Sequence, residues 1–213
     1  MEFLKGSISK YSEDHTETEP ELLSKLNKET WIKKMNPRML SGHIQGRILS
    51  MVSKMINPEN IIEIGTYTGY SALCLAEGIK DHGKIHTIDI NEEHISLAKK
   101  YFDKSAYKNN IKQYIGNAID IIPKIDQRFQ LAFIDADKEN YLKYFNLIIS
   151  KIDLGGYIIT DNVLWSGKVL MKEKDEETKA IDNYNKKISV DKRVESILLP
   201  VRDGLMISRK ISN

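Results

Sequence analysis

"NIIEIGTYTGYSALCLAEGIK" spans Asn60 to Lys80. Its first six residues, 60–65, form a short β-branched apolar run of the kind that makes a buried strand. A loop carrying Gly65 and Gly69 follows, and then an apolar segment of helical length begins. A strand, a glycine turn and a helix make the opening unit of a parallel α/β sheet.

The same pattern recurs downstream. "KIHTIDI" (84–90) reads as a strand, and "NEEHISLAKKYFDK" (91–104) as a helix with Asn91 as its N-cap. "IKQYIG" (111–116) is a short strand, followed by a short helix, "NAIDIIPKI", that Pro123 limits. "FQLAFID" (129–135) is a strand, "ENYLKYFNLIISKI" (139–152) a helix, and Gly155 and Gly156 turn the chain into the strand "YIITDN" (157–162). This alternation predicts a parallel sheet with helices on both faces. The ending breaks it. "KEKDEETKAIDNYNKKI" (172–188) is a charged, solvated helix, and "VESILLPV" and "GLMISRKI" are joined only by "RDG" (202–204), which predicts an antiparallel hairpin. Upstream of residue 60, "PELLSKLNKETWIKKM" and "GHIQGRILSMVSKMI" read as helices separated by the loop "NPRML".

Composition narrows the class. A chain of 213 residues, 41% hydrophobic and 29% charged, suits one globular domain. We expect residues 1–58 to form helices and a lid, and 59–213 the catalytic core. A net charge of +2 lacks the basic bias of a dedicated nucleic-acid binder. The lone cysteine, Cys74, rules out an intramolecular disulfide framework and sits in a helix-like apolar context that reads as core. No segment approaches the ~20 apolar residues of a membrane span, and the polar, acidic start is unlike a signal peptide, so a cytoplasmic location is expected.

The loop "EIGTYTGYS" (63–71) departs from the dinucleotide fingerprint. Tyr67 stands where a second glycine would let the backbone approach a pyrophosphate, and no P-loop lysine is present. Such a loop suits a nucleoside ligand without phosphates. Asp89, at the end of the second strand, can accept both ribose hydroxyls. Together they point to S-adenosylmethionine. Read more plainly, the glycines merely permit a tight turn and Asp89 is an acid at a helix start.

The fourth strand ends at Asp135, and the fifth at Asp161 and Asn162. Adjacent strand ends would gather two carboxylates and an amide carbonyl. Hard oxygen donors of this kind suit Mg²⁺ or a similar cation such as Mn²⁺ or Ca²⁺. Of its roughly six ligand positions, about three would remain, enough for two vicinal substrate oxygens and a water. A bound metal acidifies a coordinated hydroxyl. Lys138, one helical turn past Asp135, could then take the proton, because a partly desolvated lysine beside a cation loses its own more readily. The oxygen anion would attack a sulfonium methyl in line. Alternatively, Asp135, Asp137, Lys138 and Glu139 only start a helix, and Asp161 and Asn162 only start a turn.

In order and spacing, "EIGTYTGYSAL", "TIDIN", "GNAIDIIP", "FIDADKENYLKYF", "GGYIITDNVLWSGKV" and "DGLMISRK" resemble the cation-dependent O-methyltransferases, from about residue 38 to the C-terminus. The pair "DADK…Y" and "DN.LW.G.V" resembles the caffeoyl-CoA-like branch. The resemblance implies a Rossmann-like class I methyltransferase fold with a seven-stranded, mostly parallel sheet and an antiparallel C-terminal hairpin. It implies Asp135, Asp161 and Asn162 as metal ligands and Lys138 as base. For the cofactor it implies Met39, Ser41, Glu63, Gly65, Tyr67, Ser71, Asp89, Asn117, Ala118, Asp135 and Tyr144. For a phenolic or catechol substrate it implies Met39, Lys138, Asn162 and Trp165. The segment "MLSGHIQG" (39–46) resembles the one that closes over both ligands, and Asp137 reads as a supporting or ion-pair residue. A homodimer is expected on the same ground.

The sequence also departs from the animal catechol enzymes. Pro200 replaces a glutamate that touches the second hydroxyl, Arg202 lies nearby, and Asp137 replaces a tryptophan. Regiochemistry therefore does not carry over. His43 and Arg47 either face the pocket or lie on a helix surface. A competing function is methylation of a hydroxylated wobble uridine in tRNA, which needs a basic surface such as Lys33, Lys34, Arg38 and Arg47 would make.

Overall fold

The computed structural model describes residues 6–213. Three helices come first: α1 (Gly6–Asp14), α2 (Glu21–Lys33) and α3 (Gly42–Ile56). The alternating part follows as β1 (Asn60–Ile64), α4 (Tyr70–Ala76), β2 (Lys84–Asp89), α5 (Glu92–Lys104), β3 (Ile111–Ile115), α6 (Ala118–Ile121), β4 (Phe129–Ile134), α7 (Tyr141–Ile149) and β5 (Ile152–Thr160). The chain ends with α8 (Glu176–Ile188), β6 (Val194–Leu199) and β7 (Leu205–Lys210). No helix among the described residues is long and apolar enough to cross a membrane.

The seven strands form one sheet in the order β3-β2-β1-β4-β5-β7-β6. β1 to β5 pair in parallel, and β7 runs antiparallel to both β5 and β6. Strand order reverses direction between β1 and β4, where open α/β sheets bind their ligands. Each central strand is buried on both faces, so it reads as a continuous apolar run rather than an alternating one. Ile62, Ile64, Ala132 and Ile134 pack with Phe145, Ile148 and Tyr184 of α7 and α8. Ile61, Leu131 and Phe133 pack with Leu49, Leu75 and Phe102 on the other face. Cys74 is fully buried in that second cluster, as its context predicts.

The expected elements are present, with shifted ends. Asn91 caps α5 by accepting from the Glu93 amide at 2.9 Å. α4 stops at Ala76 because Gly78 passes against α3, where a Cβ would lie 2.2 Å from Ser53 and Lys54 backbone. α8 starts at Glu176 because Asp175 caps it, accepting from the Thr178 amide at 2.8 Å. Its charged surface hides an inner face of Thr178, Ile181, Tyr184 and Ile188. Gly155 and Gly156 lie within β5 rather than before it. Pairing with β4 jumps from Phe129–Ile152 to Leu131–Tyr157, so the glycines form a bulge, with Gly155 at φ +84°. The polar start contains α1, which buries none of its side chains and carries a Lys10–Asp14 ion pair at 3.1 Å.

Candidate active site

The last rungs of the parallel ladder assemble the site. Gly65 donates its amide to Ile88 O at 2.9 Å, Asp135 to Ile64 O at 2.8 Å, and Asp161 to Ile134 O at 2.9 Å. Each of these residues therefore leaves its strand one step past the sheet, beside the end of its neighbour. Above them lies a cavity of about 750 Å³, roofed by the segment 35–41.

The glycine loop is held from two sides. A Cβ on Gly65 would fall 1.8 Å from the Asp135 carbonyl oxygen, so only glycine lets β1 and β4 end this close. Asp89 accepts from the Tyr67 amide at 2.7 Å through one oxygen and from the Asn91 amide at 2.8 Å through the other. Its carboxylate thus shapes the loop while lining the cavity. Tyr67, at φ +46°, packs edge-on against His94 and donates its hydroxyl to Asn36 O at 3.1 Å, which joins the loop to the roof.

Most residues assigned to the cofactor line this cavity. Gly65, Tyr67, Ser71 and Asp89 form one wall, and Asn117, Ala118 and Tyr144 another, with Met39 and Ser41 in the roof. Asn117 also caps α6, accepting from the Ile119 amide at 2.9 Å. The Tyr144 hydroxyl is engaged by Asp137, which also accepts from Asn140, so Asp137 braces the start of α7. Glu63 is different: it is fully buried beneath the loop, outside the cavity wall, and accepts from Thr87 Oγ1 at 2.5 Å. Its other oxygen has no partner, and burial pushes its carboxyl up to about 8.

Lys138 is the hub of the acidic end. Its side chain is 9% exposed, and Nζ donates to Asp135 Oδ1 at 3.0 Å, Asn162 Oδ1 at 2.8 Å and Tyr141 Oη at 2.5 Å. The ammonium also lies 5.6 Å from the Trp165 ring centroid. Asp161 is buried. Burial, and then the neighbouring Asp135 charge, raise its carboxyl above the usual range, opposed by Gln45, Lys138 and Arg202. Trp165 and Ser166 both have φ near +50°, and the Trp165 indole N–H is buried without a partner beside the cavity. Such strained backbone accumulates where a side chain must be aimed.

The oxygen set fits a hard cation. A Lys138 ammonium already bridges Asp135 and Asn162, and the buried Asp161 lies close enough to Asp135 for charge repulsion. Two carboxylates and an amide oxygen that attract positive charge suit Mg²⁺ or its relatives. Among the described residues no three His, Cys, Asp or Glu side chains converge.

Sequence reasoning passed over Gln45 and Tyr141. Gln45 is buried and donates Nε2 to Asp161 Oδ2 at 2.5 Å. Its signal was a polar residue on the stripe of α3 that continues through Leu49, Val52 and Ile56. Tyr141 is buried and donates its hydroxyl to the Asp161 carbonyl at 3.0 Å. The two open positions resolve away from the pocket. Arg47 is buried against Glu77, with Nη2 to Oε1 at 2.6 Å and Nη1 to Oε2 at 3.0 Å. The His43 ring bonds Glu17 O at 2.6 Å.

The comparisons with known proteins agree with this geometry. A family model described as O-methyltransferase matches residues 12–211. The chain is 34% identical over 207 residues to caffeoyl-CoA O-methyltransferase 2 of Eucalyptus globulus, covering 91% of this chain and 83% of the relative. It is 37% identical over 186 residues to a caffeoyl-CoA O-methyltransferase of Medicago sativa, covering 81% and 75%. An SAH-bound methyltransferase of Podospora anserina superposes with a TM-score of 0.88 at 26% identity, over 96% of this chain and 94% of that one.

Proposed function

The chain belongs to the cation-dependent O-methyltransferases and is an S-adenosylmethionine-dependent enzyme; from that premise we propose that it methylates one hydroxyl of a catechol-like vicinal diol. The observation that carries the reading is the Lys138 ammonium, held between Asp135 and Asn162 at the floor of the cavity. Asp135, Asp161 and Asn162 would hold a divalent cation, Mg²⁺ or else Mn²⁺ or Ca²⁺, which when bound acidifies a chelated hydroxyl. S-adenosylmethionine supplies the methyl group.

The chain's own residues do the rest. Asp89 orders the glycine loop and presents its carboxylate to a ribose. Gly65, Tyr67, Ser71, Asn117, Ala118 and Tyr144 enclose the nucleoside, and Glu63 supports the loop from below. Lys138 takes the proton of the reacting hydroxyl as a neutral amine, after its ammonium has released Asp135 and Asn162 and lost one proton to water. Tyr141 keeps the amine pointed at the site. Met39 and Trp165 close over the acceptor and Ser41 over the cofactor, and together they keep water out. Holding the oxygen and the methyl in line provides much of the acceleration. Residues 1–58, of which 1–5 lie outside the described residues, would serve as helices and lid of a single domain. A homodimer would cover the exposed Met51, Met55 and Leu154.

The test is methyl transfer to a panel of catechols, with and without a chelator. Transfer that vanishes with chelator and returns with Mg²⁺ is the expected result. Absence of any catechol turnover, together with loss of methoxyuridine from tRNA in a knockout strain, would overturn it in favour of tRNA. The burial of Arg47 in an ion pair removes one of the four cations that a tRNA surface would need.

A further inference from the structure

We propose that Gln45 and Arg202 are positioning residues that set the Asp161 carboxylate for cation binding, with Arg202 deciding which end of the Gln45 amide faces Asp161. The proposal rests on the metal-site reading above. Gln45 is 1% exposed, and its amide lies between two groups. Nε2 donates to Asp161 Oδ2 at 2.5 Å, and Oε1 accepts from Arg202 Nη1 at 2.9 Å. A guanidinium has donors and no acceptor, so only the oxygen end of the amide can meet it. The amino end must then face Asp161. Turned over, the amide would set its oxygen against the carboxylate and its N–H₂ against the guanidinium, losing both bonds.

The other Asp161 oxygen accepts from the Asn162 amide at 2.7 Å. With both oxygens restrained, the plane of the carboxylate is fixed before a cation arrives. Partners of this kind orient metal ligands, and their loss weakens the site without removing a ligand.

Arg202 bears a local cost for its place. It lies in the connection between β6 and β7 at φ +50°, a left-handed conformation that glycine adopts freely and arginine does not. Its side chain lines the cavity and also reaches Leu40 O at 3.4 Å, beside Ser41 in the roof. The same connection braces the chain just past the ligands: Gly204 O accepts from the Val163 amide at 3.2 Å, and Asp203 Oδ1 from the Ser166 amide at 2.5 Å. The connection thus joins three parts of the site, Arg202 reaching the roof and α3, and Asp203 and Gly204 the chain just past β5.

The experiment measures Mn²⁺ binding by electron paramagnetic resonance in the presence of S-adenosylmethionine. The proteins are the wild type, Arg202→Gly, Gln45→Leu, their double variant and Asp161→Asn. Arg202→Gly and Gln45→Leu should each weaken Mn²⁺ binding about tenfold or more. The double variant should be no weaker than the poorer single one, because a serial chain is broken once by either change. S-adenosylmethionine affinity, by calorimetry, should stay within about threefold in Arg202→Gly. Its melting temperature should not fall, since glycine relieves the backbone strain.

Wild-type Mn²⁺ affinity in Arg202→Gly, with affinity lost in Asp161→Asn, overturns the positioning roles alone. Unchanged affinity in Asp161→Asn overturns the metal site and the proposal with it. Losses that multiply in the double variant overturn the serial arrangement. A lower melting temperature with joint loss of Mn²⁺ and cofactor binding in Arg202→Gly shows a structural role instead.

Discussion

Replacing Gly65 with alanine tests how closely two strand ends must approach for this site to exist. Gly65 has φ +100°, and the new Cβ would sit 1.8 Å from the Asp135 carbonyl oxygen. Holding an L-residue in that backbone region costs about 1–3 kcal/mol. Relieving the clash requires the ends of β1 and β4 to separate by about 1.2 Å, and such overpacking costs roughly another 1–3 kcal/mol. For a chain of this size a loss of about 4 kcal/mol lowers the melting temperature by roughly 10 °C. The kinetic effect should be larger than the effect on folding. Asp135 both borders the cofactor loop and holds Lys138 at 3.0 Å, so its displacement moves the loop and Lys138 apart. A misplacement near 1 Å is worth about a hundredfold in rate. Gly155→Ala is the control. It has φ +84°, but its Cβ would meet nothing closer than Arg209 Nη2 at 3.7 Å, so it carries strain without a clash. Thermal melts and turnover with saturating cofactor distinguish the two. If both variants lost similar stability and kept wild-type turnover, the close-approach argument would be refuted.

Lys138→Ala should lower turnover by about 10²–10⁴-fold while cofactor affinity, measured by calorimetry, changes little; equal losses in both would refute its role as base. Arg47→Ala removes the bidentate partner of the half-buried Glu77, which keeps Ser50 and Lys54, and should cost about 1.5–3 kcal/mol in denaturant unfolding, a loss that a surface arginine would not produce. His86 is buried, and burial, with Lys112 and Lys84, depresses its imidazole to about 4 from the usual 6.5. Its native form is therefore neutral, and the stability it contributes is present above pH 6.5 and lost as pH falls toward 4, by about 3 kcal/mol at most. Glu63, raised to about 8, titrates in the opposite sense: its contribution falls as pH rises from about 4.5 to 8. Comparing melts of wild type and His86→Phe across pH 4–7 cancels the Glu63 effect. An unchanged pH slope in the variant would refute the assignment to His86.

The alternation of apolar runs with amphipathic ones was enough to place β1 to β5 and the terminal hairpin, because strands buried on both faces have to be short and continuously apolar. The glycine loop was legible for a similar reason: Gly65 and Gly69 stand where no side chain fits, with a Gly69 Cβ falling 2.6 Å from the Phe102 ring. The acidic strand ends were legible as a pair, since strand order places the last residues of neighbouring strands together. Element ends were less so. The Gly155–Gly156 bulge follows from how β5 registers on β4, and the early stop of α4 from the passage of Gly78 against α3. Neither contact can be read from local sequence.

By itself, then, the sequence determined the sheet, the glycine loop and the types of residue at the strand ends, because hydrophobic period and backbone permissiveness are local properties. Tertiary structure alone decided that Lys138 contacts Asp135, Asn162 and Tyr141 together, that Arg47 turns away to Glu77, and that Gln45 reaches Asp161 from 116 positions earlier in the chain. The physical reason is that hydrogen-bond partners are fixed by where packed elements bring side chains. Sequence separation carries no information about that distance once the chain has crossed the sheet.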